Sequence, residues 1–212
     1  MRAPGGGAEG LGPFLLAQRI IVIGQYLDDA TSTEVVARLL AMDAADPSAE
    51  IKLYINSMAG SSYAVSGVID VLRALRAPVS TVGMGATGGA MTVLLACGNP
   101  GRRFATSNAR IQLAQQHGGA MGSSIEVNIQ TAELNRTMYM MYTYLSQATG
   151  LPMARVEEEC DRFKYLSAPE AKALGIVDDV IGGDPPRFYP ELGRLGLIRG
   201  RFAKHAELEA PT

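Results

Sequence analysis

Apolar positions along this chain switch repeatedly between a strand-like run and a helix-like spacing, and the switches fall at glycines and short polar stretches. The clearest case is residues 79–98, VSTVGMGATGGAMTVLLACG, where a β-branched run breaks at glycines and reopens as a helix of small residues. It predicts a strand, an elbow and a buried helix. Upstream, RIIVIG at 19–24 predicts a short strand. Thr31 or Ser32 then caps a helix reaching about Met42, with Val35, Val36, Leu39 and Leu40 on one face. IKLYIN at 51–56 is a second strand, SMAGSS at 57–62 a loop, and 63–76 a helix with Val65, Val68, Ile69, Leu72 and Leu75 inward. The third strand is Val79–Gly83. Units of this length imply right-handed crossovers and a mostly parallel sheet, hence an α/β fold. The loops at 57–62 and 84–90 then converge at strand C-terminal ends, where such folds place their sites.

A fourth strand is expected at 109–115, followed by GGAMG at 118–122, a flexible extension, and by the longest helix, from Ser124 to about Ala148. Ser123 or Ser124 caps it, with Glu126 in its first turn. Met138, Tyr139, Met140, Met141, Tyr142, Tyr144 and Leu145 leave this helix little polar face, so a partner subunit is expected to cover it, with burial in the chain's own interior as the alternative. Pro152 opens a further short helix. SAPEAKALG at 167–175 reads as a Ser-capped helix stopped by glycine, and IVDDVI as the last strand.

With 212 residues, 47% of them apolar, and a net charge of −2, the chain is expected to fold around one substantial core. The near-neutral balance argues against nucleic acid as a partner. Arg194, Arg199, Arg201 and Lys204 gather near the C-terminus, where a solvated tail is the simpler reading. No run approaches the ~18 apolar residues of a membrane span. Cys97 and Cys160 give no disulfide framework. The Gly- and Pro-rich opening MRAPGGGAEGLGP reads as a flexible leader. The expected organisation is a flexible segment at 1–16, a domain at 17–182 and a tail at 183–212.

The glycines at 83, 85, 88 and 89 permit positive φ and close backbone approach, the geometry of a nucleophile elbow or an oxyanion site. The turn offers no nucleophile beyond Thr87; Thr92 and Cys97 lie further along the helix. Of two histidines, His117 would point to the opposite face of a continued strand from residue 114, and His205 lies in the tail.

RIIVIG, LYINS with its small-residue loop, VSTVGMG, GRRFATSNARI, GGAMG, TGLP, and DR followed by YLSAPEAKALGIVDDVI resemble, in order and spacing, the proteolytic subunit of the Clp protease, ClpP, over roughly residues 17–181. The resemblance implies a ClpP/crotonase-like spiral of βαβ units with a protruding handle of strand and helix at about 115–148. It also implies seven-membered rings stacked handle to handle around a chamber. That family is a serine hydrolase. Its serine falls at Gly89, its histidine at Ala114 and its aspartate at Phe163, so nucleophile, base and orienting acid are all replaced. Gly60 and Ala90 match the positions whose backbone amides form the family's oxyanion hole, while Met58 and Ala59 replace the preceding proline and glycine.

Retained assembly features with erased catalysis resemble the noncatalytic paralogue, ClpR. This implies a structural subunit with no cofactor and no metal, sharing rings with active ClpP and other ClpR chains in a chloroplast stroma or cyanobacterial cytosol. Ring contacts are expected from Asp161, Arg162, Gly118, Gly119, Met138, Met141 and Tyr142. Unfolded proteins in the chamber are the expected substrates of the complex. Lys52, Tyr54 and Ala74 match the pockets that receive the AAA+ unfoldase; a charge and a small residue there predict weaker docking. Two competing readings are a crotonase-like acyl-CoA enzyme, which needs no serine, and a ring subunit that only binds peptide.

Overall fold

The computed structural model describes residues 8–115 and 117–182. Residues 1–7 and the tail at 183–212, with His205 and the basic cluster, lie outside the described residues. In chain order the elements begin with α1 (Ala8–Ala17), β1 (Ile20–Ile23), α2 (Asp29–Ala45), β2 (Ile51–Ile55), α3 (Ser62–Ala74), β3 (Val79–Gly83) and β4 (Ala86–Gly88). They continue with α4 (Ala90–Ala96), β5 (Arg103–Thr106), β6 (Arg110–Leu113), α5 (Ser124–Thr149), α6 (Met153–Cys160), β7 (Lys164–Ser167), α7 (Ala168–Ala173) and β8 (Asp179–Ile181).

Two sheets form. The larger runs β1-β2-β3-β5-β8 with every pair parallel; the smaller runs β4-β6-β7, with β4 parallel and β7 antiparallel to β6. Residues 79–98 hold the centre as expected: every residue of β3 and of α4 is buried. The helix packs so closely on the strand that a side chain at Gly98 would collide with Thr81, whose Oγ1 donates to the Leu95 carbonyl at 2.7 Å. Between strand and helix the elbow contains a short strand of its own, β4, which carries the chain from the first sheet to the second.

Several local expectations change. Asp28, rather than Thr31 or Ser32, caps α2, accepting from the Thr31 amide at 2.8 Å. Residues 8–17 are helical rather than part of an unstructured leader. The apolar Leu16 packs on the core, which fixes the end of that helix against the sheet. The fourth strand stops at Leu113, and no strand follows in the handle among the described residues, none of which offers a neighbouring strand to pair with it. Gln130 stands in for one: its Oε1 accepts from the Met121 amide at 3.0 Å, and its Nε2 donates to the Met121 carbonyl at 3.1 Å.

α5 opens with a capping box between Ser123 and Glu126 and closes on Gly150, at φ +76°. Its two halves differ. None of the described residues from 115 to 136 is buried, so the first turns project from the body. In the second half Met141, Tyr142 and Leu145 sink into the chain's own core. Met141 and Tyr142 are therefore not available as ring contacts; the interior reading holds for them. Gly118 lies against Leu134, Gly119 is open, and Met138 is half-buried. The exposed apolar residues of the helix are instead Ile125, Ile129 and Tyr139.

Candidate functional site

The elbow begins where β2 and β3 end. Asn56, just past β2, accepts from the Ala86 amide at 3.1 Å and braces the turn. The Gly88 amide donates to the Ser57 carbonyl at 3.1 Å, and the Gly89 amide to the Gln112 carbonyl at 3.2 Å, tying the turn to both the 57–62 loop and β6. Gly89 has φ +55° and ψ −128°, a conformation that costs any other residue strain. This is the kind of sharp strand-to-helix turn that displays a nucleophile. A side chain on Gly89 would meet nothing closer than the Met58 carbonyl oxygen, at 3.9 Å. The backbone of an elbow is present, with room for a side chain and none in place.

The other two positions converge on the same end of the small sheet. β6 and β7 pair antiparallel with Leu113 opposite Lys164, so Ala114 and Phe163 are the next facing positions beyond the ladder. Ala114 is buried; Phe163 is 63% exposed. His117 does not follow the strand alternation expected of it, because the strand ends first. Its ring stacks on Phe163 instead.

The hydroxyls and thiols that the sequence offers at and beyond the turn, Thr87, Thr92 and Cys97, are committed or inert, as is Cys160. Thr87 is fully buried, with its Oγ1 donating to the Ile55 carbonyl at 3.2 Å, and Thr92 Oγ1 donates to the Gln112 carbonyl at 2.8 Å. Burial pushes the Cys97 thiol up to about 11 and the Cys160 thiol up to about 12, so neither carries thiolate near neutral pH. Gly60 lies in an extended segment bridged to Leu27 on one edge, and a side chain there would come within 3.0 Å of Leu27 Cβ and 3.1 Å of Met91 Sδ. Among the described residues, neither the Gly60 nor the Ala90 amide donates to a protein acceptor. Among the described residues, the unpaired donors at this end include these two backbone amides.

Beside this end lies an open cleft of about 1220 Å³ whose wall includes Arg110, Glu158, Asp161, Arg162 and Phe163. Asp161 and Arg162 face each other at 3.6 Å, both strongly exposed, an arrangement free to exchange partners. Sequence reading missed Glu159 next to them: its carboxylate is buried and takes Arg155 at 2.5 Å together with Lys164, a pairing that holds the end of α6 to the start of β7. At the far face, β1-β2-β3 register sets Lys52 between Ile20 and Ser80, and Tyr54 between Val22 and Val82. Lys52 and Ala74 are exposed and Tyr54 is half-buried. Among the described residues there is no cluster of three or more His, Cys, Asp or Glu that could hold a metal, and no helix long and apolar enough to cross a membrane.

A family model described as Clp protease matches residues 11–184. The chain is 40% identical over 168 residues to the ATP-dependent Clp protease proteolytic subunit 1 of Rhodococcus jostii, covering 79% of this chain and 76% of that protein. It is 37% identical over 170 residues to the chloroplastic ATP-dependent Clp protease proteolytic subunit 4 of Arabidopsis thaliana, covering 80% of this chain and 58% of that one. Against proteolytic subunit 3 of Frankia casuarinae identity is 36% over 167 residues, covering 79% and 78%.

Proposed function

The chain belongs to the Clp protease family, and we propose that within a Clp protease core it is a noncatalytic, ClpR-type subunit that builds ring and chamber wall and cleaves nothing. Its mixed α/β fold, with a parallel sheet and a projecting helix, is consistent with the ClpP/crotonase-like class. The observation that carries the proposal is Gly89: the elbow keeps its positive φ and its space, yet holds no hydroxyl. Ala114 and Phe163, brought to the same end of the small sheet, can neither accept a proton from a nucleophile nor orient a group that would. Losing all three members removes the unit that does the chemistry, and what typically survives is a roughly 10³- to 10⁴-fold effect over water from binding and oxyanion donors.

The unpaired Gly60 and Ala90 amides support a second, compatible role in holding a peptide carbonyl without cleaving it. Active ClpP chains, other ClpR chains and a Clp ATPase are the proposed partners. Asp161, Arg162, Gly119 and the exposed Ile125, Ile129 and Tyr139 are the proposed contact surface. The proposed compartment, a chloroplast stroma or cyanobacterial cytosol, has the chloroplastic Arabidopsis relative in its favour. The Rhodococcus and Frankia relatives widen it to other bacteria. Fluorophosphonate labelling of the purified complex, read subunit by subunit, tests the proposal: label on partner chains and none on this one is expected, and label on this chain contradicts it.

A further inference from the structure

Gln112 is 7% exposed, and among the described residues its side-chain amide pairs with no donor or acceptor. Native interiors rarely leave such a group without a protein partner, and one that water can still reach is free to take a ligand instead. The chain had apolar alternatives: its strand neighbours Ile111 and Leu113 are both buried. The place of the amide is specific. β4 and β6 pair with Gly88 opposite Gln112, and Oε1 of Gln112 lies 2.7 Å from where a Cβ on Gly88 would stand. Met58 covers the same spot from the other side, its Cε and its carbonyl oxygen each 3.0 Å from that point. The only buried side-chain polar atom sealed off without a partner among the described residues is Thr137 Oγ1, so the tip of Gln112 keeps an opening to solvent. The amide lies at the elbow, one residue from the unfilled space over Gly89.

We propose that Gln112 is a main-chain clamp: its amide binds a peptide bond of an extended, uncleaved polypeptide passing over Gly88 and Gly89. The inference rests on the chamber role proposed above. A primary amide both donates and accepts, which matches the paired N–H and C=O of a peptide backbone and reads no side chain. The elbow residues Met58, Gly60, Gly88, Gly89 and Ala114 carry no charge, which suits a neutral main chain better than an anion. The segment around Gly60 is extended and bridged to Leu27 on one edge, leaving its own amide as a second fixed donor for the same chain. The small Ala114, next on the same strand face as Gln112, leaves the clamp unobstructed.

The test is fluorescence anisotropy with the full-length chain and a fluorescein-labelled octapeptide of Ala, Val and Leu, blocked at both ends. Saturable binding is expected. Gln112→Met, close in size and without the amide, should weaken it roughly tenfold or more. Its melting temperature should hold, because the side-chain amide makes no protein hydrogen bond that the substitution would break. Equal binding by Gln112→Met overturns the inference, as does absence of saturable binding. Binding only when the peptide carries a free C-terminal carboxylate also overturns it, and shows an anion site instead. A lowered melting temperature with unchanged binding assigns Gln112 a structural role and overturns it as well. None of these outcomes touches the noncatalytic reading, which fails instead on fluorophosphonate labelling of the unmodified chain.

Discussion

The ring of His117 lies on that of Phe163 with centroids 5.4 Å apart and planes 8° from parallel. Phe163 stands where the resemblance places an aspartate, and an aromatic face offers no acceptor to an imidazole N–H. The histidine is therefore held by its flat surface rather than through a nitrogen. The orienting bond that gives a catalytic base its tautomer and direction is missing even though an imidazole is close by.

Restoring side chains should restore reactivity in part, because Gly89 already has the elbow dihedral and a clear Cβ path. Gly89→Ser combined with Ala114→His and Phe163→Asp is expected to label with a fluorophosphonate in the assembled ring, while Gly89→Ser alone is not. The positive φ costs the serine on the order of 1–2 kcal/mol, visible as a melting temperature lowered by a few degrees. Gly88→Ser is the contrasting case: its Cβ would lie 3.0 Å from the Met58 carbonyl oxygen, backbone that cannot swing aside as Gln112 Oε1 can, so it should destabilise without labelling. A folded, assembled triple variant that stays silent contradicts the idea that only side chains are lacking.

The strong periodic signals in the sequence correspond to real elements. Val65, Val68, Ile69 and Leu72 are buried on one face of α3, and the 79–98 stretch is the buried centre. What escaped were β4, β5 and β7, of three or four residues each, too short to show a period of their own and defined only by the partner across the ladder. The surplus of methionine and tyrosine in α5 was legible as a demand for cover. Which half would be covered from within depended on where the core lay, and Met141 and Tyr142 went inside. Gln112 did carry a signal, a lone amide between Ile111 and Leu113 in a buried strand. Its meaning depended on β4, which the sequence did not announce.

Acid should weaken the fold through Asp178. Burial alone would raise its pKa, but hydrogen bonds and the charge of Arg103 outweigh that and hold it below the ordinary carboxylate value. A carboxylate with a depressed folded pKa stabilises above its unfolded value and loses that contribution as pH falls below about 4 through the folded value. Arg103 Nη2 bonds Asp178 Oδ1 at 2.6 Å and Arg103 Nη1 reaches the Ala148 carbonyl at 2.8 Å, so the pair ties β5, the end of α5 and the approach to β8. Thermal melts across pH should therefore fall more steeply below pH about 4 in the unmodified chain than in Asp178→Asn, which starts lower at neutral pH.

Thiol labelling should report folding rather than reactivity. With burial raising Cys97 to about 11 and Cys160 to about 12, iodoacetamide at pH 8 is expected to modify neither in the folded chain and both in denaturant. Rapid modification of either in the folded state would contradict the inert assignment.

Docking of the unfoldase is expected to be limited by Lys52, exposed beside half-buried Tyr54 on the outer face of β2. Lys52→Leu should strengthen capture of the complex by the Clp ATPase in a pull-down, since it removes a charge that must be desolvated on docking. Capture by the unmodified chain as strong as by an all-ClpP ring contradicts the expectation.

Native mass spectrometry of the complex purified through this chain tests the central claim most directly. The account predicts a double-ring hetro-oligomer in which this subunit sits with other Clp chains that carry the serine it lacks. A homomeric assembly of this chain alone, and above all a trimer that binds coenzyme A, would contradict it.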